Sequence, residues 1–342
     1  MFAVNATGFD DGWVALSMTD LGMGDINLGA NLAPAVAASD GRAVVAWRQV
    51  TIDDASNPLD FSAGDRILAS AYTGTGWTWP VEVYNGTSGG VRGLTAEMLP
   101  DGTALIGYTL EREVSVVDAS SSSSEIIATV QDTAYTMLDT AAMLAFAASA
   151  RAGGNELGFP ALDDGDQLAE HQGAVGRTVI LENELPFNSN PHAIAANWNG
   201  ADVFVLGWYS ADSDGNGQIS LAAVAADGVS MPGFPDGVSR QTVAADPGSI
   251  WGFAQVPGGS ATDLQEVWAT NNLAASDPAY GQDMLQVVGL RDAGSGQLGF
   301  TGVIDLLAGD DLAATRVEHV IARKAGATPS TCCCRAPPPL VR

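Results

Sequence analysis

The chain has 342 residues, 46% of them apolar, with 40 glycines and 16 prolines, a composition that builds a core and many turns and excludes a disordered chain. Forty acidic residues stand against fourteen basic ones, a net charge of −26, and Lys324 is the single lysine. A surface of that sign repels phosphate backbones and anionic lipid, which argues against nucleic acid as a partner; no apolar run approaches the roughly 20 residues of a membrane-spanning helix, so no membrane insertion is expected.

The opening stretch, MFAVNATGFDDGW, has neither the basic start nor the hydrophobic stretch of an export leader, and is expected to be the interior of a longer chain. Residues 1–30, with DDGWVALSMT, would add a strand or two that close a ring against the last repeat. The first clear element is the hairpin PAVAASDGRAVVAWRQ, Pro34 to Gln49, in which Asp40-Gly41 separates two apolar runs. A second hairpin comes next in DRILASAYTGTGWTWPVEVY, Asp65 to Tyr84, around Gly74 and Gly76. The same alternation returns in LTAEMLPDGTALIGYTL, Leu94 to Leu110, around Gly102, and more weakly in AFAASARAGGNELGFPA, Ala145 to Ala161, around Gly154. The overlapping TAAMLAFAASA is alanine-rich enough for a helix, but its register in the repeat predicts a strand. AIAANWNGADVFVLGWYS, Ala193 to Ser210, and FAQVPGGSATDLQEVWAT, Phe253 to Thr270, carry the pattern on around Gly200 and Gly259.

The five turn glycines are 61, 52, 46 and 59 residues apart. Periods of that size with several strands each mark propeller blades rather than helical solenoids. Two hairpins per period give four strands per blade, so the fold class expected is an all-β propeller of about six blades, a single domain over residues 1–327. The aromatics that end the second strand of each copy, Trp47, Tyr108, Phe159, Trp208 and Trp268, are expected to pack between blades. The tail 328–342 is rich in Cys and Pro, holds Cys332–Cys334 without the spacing of a zinc site, and is expected to be disordered or non-native.

In YTGTGWTWP, Tyr72 to Pro80, the residues Gly76, Thr78 and Trp79 match the register of an Asp-box, Ser-x-Asp-x-Gly-x-Thr-Trp, while Tyr72 and Gly74 stand where its serine and aspartate belong. With the flanking NLAPAVAASDGRAVVAWR and LTAEMLPDGTALIGYTLER, the chain resembles the sialidase-like, Asp-box propeller modules of large secreted or wall-attached bacterial proteins, best over residues 26–112 and 190–230. The resemblance implies a secreted or cell-surface location and a carbohydrate or protein ligand. An active member would need an arginine cluster, a Tyr–Glu nucleophile pair and an acidic proton donor. The family's Arg-Ile-Pro has as its nearest counterpart Arg66-Ile67-Leu68, without the proline; Arg48, Arg92 and Arg112 are the other arginines near strand ends, and Tyr280 with Glu266 or Glu318 is an imaginable pair.

Other catalytic strings fail on context. GTSGG, Gly86 to Gly90, matches a nucleophile elbow at Ser88, but the stretch from Leu94 onward reads as strand where that motif needs a helix. His171, His192 and His319 make no metal-spaced set. DSDGNGQI, Asp212 to Ile219, matches the first half of a calcium loop, with Asp212, Asp214, Asn216 and Gln218 at positions 1, 3, 5 and 7. Ala223 takes the place of the bidentate glutamate at position 12, so either a weak Ca²⁺ site or a plain polar hairpin loop is expected. The functional expectation is a binding or structural module without catalysis and with no cofactor beyond Ca²⁺. The alternative is a glycoside hydrolase of the sialidase type.

Overall fold

A computed structural model describes residues 2–4, 14–16, 29–51, 65–72, 74, 76–78, 80–85, 90–117, 125–145, 174–189, 191–211, 217–228, 238–242, 250–256, 261–271, 283–294, 297–307, 320–323 and 331–334. The chain divides into two compact units, Met1–Glu184 and Leu185–Arg342. Its described residues are all-β apart from a helical turn at 140–145 and short 3-10 turns, and they hold four blade-like antiparallel sheets, each built on four strands.

In the first unit β1 (Phe2–Val4) pairs with β2 (Val14–Leu16). The first blade runs β3 (Gly29–Ser39), β4 (Arg42–Thr51), β5 (Asp65–Ala71), β6 (Val81–Asn85), in chain order. The second runs β7 (Gly90–Met98), β8 (Thr103–Val117), β9 (Glu125–Asp139), β10 (Val179–Leu185), with β10 closing the sheet against the long β8–β9 hairpin. In the second unit β11 (Phe187–Asn188) and β12 (His192–Trp198) both pair with β13 (Ala201–Ala211), beside which lie β14 (Gly217–Ala225) and then β15 (Val238–Thr242). The fourth sheet runs β16 (Ile250–Val256), β17 (Gln265–Asn271), β18 (Asp283–Gly294), with β19 (Gln297–Phe300) and β20 (Ile304–Leu307) on separate parts of β18. Finally β21 (Val320–Arg323) pairs with β22 (Thr331–Cys334), which puts the three cysteines in a strand.

Three of the five turn glycines occupy one structural position, between the first and second strands of a blade. Asp40-Gly41 and Asn199-Gly200 form two-residue turns with positive φ at both residues (48° and 76°, 52° and 82°), the conformation that matches strand twist. Gly102, at φ 94°, donates its N–H to Leu99 O in a longer turn between β7 and β8. Gly154 and Gly259 lie outside the described residues.

The second strands are apolar on both faces because both faces leave water. Ala43 to Trp47 on β4 and Val203 to Trp208 on β13, with Gly207 among them, are buried throughout. Trp47, Tyr108, Trp208 and Trp268 are all fully buried, while Phe159 lies outside the described residues. Between the first two sheets the core is formed by Val44, Ala46, Ile67, Ala69, Ile106 and Tyr108, among others.

The segment 140–145 corrects the strand expected there: it is helical. Asp139 at the end of β9 accepts the N–H of Ala142 through Oδ1 (3.0 Å), a cap that starts a helix in an alanine run. β9 and β10 are neighbouring strands of one sheet, and the hairpin expected around Gly154 lies outside the described residues.

Candidate functional site

At the end of the first two blades opposite the glycine turns, strand register gathers three arginines, four carboxylates and a tyrosine. Asp65 opens β5 opposite Val50, and Arg48 lies opposite Ile67, so the two are diagonal neighbours on one face. The Arg48 guanidinium lies 2.7 Å from Asp65 Oδ2, which also accepts the backbone N–H of Val91 on β7 at 2.6 Å. On β8 and β9, Arg112 Nε donates to Asp132 Oδ2 (2.8 Å) and its Nη2 to Glu184 Oε1 (3.0 Å). Asp132 Oδ1 accepts the N–H of Glu184, whose φ of 57° turns the backbone toward it. Arg92 grips Glu111 with two hydrogen bonds, 3.1 and 2.8 Å, and Gln131 adds a third contact to that carboxylate at 3.3 Å.

These pairs set the electrostatics. The hydrogen bond from Arg92 holds the Glu111 carboxyl below its ordinary value. Tyr84 is shifted the other way: burial, then the fields of Asp132 and Asp65, raise its phenol. Its ring packs 5.6 Å from that of Tyr108, whose hydroxyl meets Thr136 Oγ1 at 2.7 Å. Asp65 and Asp132 are nearly enclosed, whereas Arg92 (63%) and Glu184 (60%) reach water and form the rim. Three arginines against four carboxylates leave a net charge of −1. Chemically the cluster offers planar hydrogen-bonding groups beside a phenol, and the cations are already neutralised.

The residues singled out in the sequence scatter over the fold. Arg48, Arg92 and Arg112 come together in this cluster; Arg66 lies on β5, hydrogen-bonded to Gln49 Oε1 at 2.5 Å and 3.9 Å from Glu82. Glu266 is fully buried on β17, while Tyr280 and Glu318 lie outside the described residues. His192 is half-buried on β12, and burial lowers its pKa; His171, His319 and Ser88 lie outside the described residues, and strand β7 comes directly after the Ser88 segment. Among the described residues no three His, Cys, Asp or Glu side chains gather as a metal site. Of the calcium-loop residues, Asp212, Asp214 and Asn216 lie outside the described residues. Gln218 lies near the start of β14, and its Nε2 donates to Ser210 Oγ at 3.0 Å.

The Asp-box-like hairpin joins β5 to β6. Tyr72 bridges Trp77, their rings 5.4 Å apart, and the Tyr72 hydroxyl donates to Gly74 O at 2.8 Å. Thr78 is fully buried; its Oγ1 accepts the N–H of Ala71 (3.0 Å) and its carbonyl accepts from Ser70 Oγ (2.6 Å). Thr78 therefore fastens the hairpin at the matching position, and Gly74, at φ 90°, sits where the aspartate would be. Sequence reasoning missed Asp65, Tyr84, Glu111, Asp132 and Glu184. For Asp65 and Asp132 the signal is a carboxylate placed diagonally from an arginine on the next strand, which depends on register.

No protein-family model matches the chain, and no curated protein does. Among solved structures, it is similar to a protein of unknown function from Dyadobacter fermentans (11% identity, 86% of this chain and 72% of that one, TM-score 0.36). It is also similar to an alpha-L-arabinofuranosidase from Lactobacillus brevis (14%, 78% and 76%, 0.29) and to a sialidase from Trypanosoma rangeli (9%, 86% and 50%, 0.21). Likenesses this distant carry no argument about activity, and function is read from the residues.

Proposed function

We propose that the chain is a non-catalytic β-propeller module of a secreted or cell-surface protein, binding a carbohydrate or protein ligand through the rim of the arginine–carboxylate cluster. The observation that supports this most is that Arg48, Arg92 and Arg112 are each ion-paired with an acid. A clamp for a substrate carboxylate needs free guanidinium donors, and an ion-paired guanidinium is a poor one. Tyr84 points the same way, since a phenol made harder to ionise is a poor nucleophile. The exposed Arg92 and Glu184 suit a neutral polyol, which takes paired donors and acceptors without a charge of its own. The propeller count of about six rests on glycine spacing, and needs further blades from residues outside the described set.

The glycoside hydrolase reading keeps one observation in its favour: arginines, a tyrosine and acids do converge at one end of two blades. The two readings separate on a glycan array probed with the full chain and with Arg92→Ala. The binding-module reading expects retention of neutral glycans with no change in the arrayed sugars, weakened in the variant. Retention unaffected by Arg92→Ala and by Glu184→Ala would remove the cluster from the account.

A further inference from the structure

In the second unit a carboxyl group is sealed between two sheets with no cation beside it among the described residues. Gln255 on β16 and Glu266 on β17 are direct cross-strand partners. Gln255 Nε2 donates to Glu266 Oε1 at 2.9 Å and reaches Val205 O on β13 at 3.5 Å, so the pair bridges the β13 and β17 sheets. Gly207 on β13 makes the room: a Cβ there would fall 2.8 Å from Gln255 Nε2 and 2.9 Å from Glu266 Oε2. Two buried oxygens of this pair, Gln255 Oε1 and Glu266 Oε2, have no partner among the described residues. As a carboxylate, Glu266 sets acceptor against acceptor; one proton on Oε2 turns it into a donor for Gln255 Oε1 and satisfies both atoms.

We infer that Glu266 is a protonated carboxylic acid that latches the two sheets together through Gln255, and that losing this proton weakens the second unit. Gly207 is then the position that admits the latch. Burial pushes the Glu266 carboxyl up to about 8, opposed only by the Gln255 hydrogen bond. The ionisable groups on the elements packed around it are His192 on β12, Asp202 and Tyr209 on β13, Asp283, Arg291 and Asp292 on β18, and Arg323 on β21. β16 has none, and Glu266 is the only one on β17.

The sign comes from linkage. The folded chain keeps a proton that the unfolded chain releases above its ordinary value of 4.5, so stability falls as pH rises from there to about 8, and then levels. The test is thermal and urea unfolding of the full chain and of Glu266→Gln, which keeps the shape and supplies a permanent N–H donor. The ratio of their unfolding constants should change about tenfold per pH unit in that window and be flat above it, since the other titrating groups are common to both. A ratio independent of pH overturns the latch, as it would if Arg323 neutralised the carboxylate. Should Glu266→Gln not fold, infrared spectra of the natural chain decide: a protonated-carboxyl band at pH 6.5 that vanishes by pH 9.5 is expected, and its absence at pH 6.5 overturns the proposal.

Discussion

Asp65 on β5 accepts the backbone N–H of Val91 on β7 at 2.6 Å, and thereby ties the first blade to the first strand of the second. The same carboxylate holds Arg48, so one nearly buried side chain serves the sheet, the inter-sheet junction and the candidate site.

Asp65→Ala should therefore be costly. It strands the Arg48 guanidinium and leaves the Val91 N–H without its acceptor, for which about 3 kcal/mol is expected. Urea unfolding measures the loss. Glu184→Ala, on the exposed rim, should change stability by less than about 1 kcal/mol.

The turn glycines should differ among themselves. Nothing lies near a Cβ added at Gly41 or Gly200, so Ala there meets only the backbone penalty of positive φ, about 1 kcal/mol. At Gly102 the added carbon would also fall 2.6 Å from Arg42 Nη1 and 3.0 Å from Thr140 Oγ1, side chains that bond to Asp101 O and Gly102 O. Gly102→Ala should thus lower the melting temperature more than Gly41→Ala does.

Trp47 and Trp208 have no exposed surface on blade-second strands. Their replacement by Ala should cost about 3–5 kcal/mol each, read from denaturant midpoints.

Much of this architecture is legible in the sequence because it is local. Asp40-Gly41 and Asn199-Gly200 announce hairpins through turn chemistry, and the apolar runs ending at Trp47, Tyr108 and Trp208 announce strands with little exposed surface. The helix at 140–145 is hidden by the repeat register, although Asp139 ahead of an alanine run is a start signal. The site is half legible. Its arginines stand out in an acidic chain, but their partners Asp65 and Asp132 are set by strand register, and a one-residue slip would turn them to the other face.

The loop joining β13 to β14 makes a separate claim. If Asp212, Asp214, Asn216 and Gln218 hold Ca²⁺, the affinity without a bidentate glutamate should be of order 10⁻⁴–10⁻³ M. Binding stabilises by about 2.7 kcal/mol at a hundredfold excess over Kd, so millimolar Ca²⁺ should raise the melting temperature modestly. Asp212→Ala should abolish the rise. An equal rise with Mg²⁺ would reduce the effect to screening of the −26 charge.

The central claim, a module that binds without cutting, meets its most direct test in sugar release. Purified full chain is incubated with sialylated and other glycoside substrates, and free sugar is measured against a buffer blank. No release above the blank is predicted, because Arg48, Arg92 and Arg112 are ion-paired and Tyr84 is held in its neutral form. Turnover that disappears on Tyr84→Phe, in a variant that still folds, would contradict the account and make the chain a glycoside hydrolase.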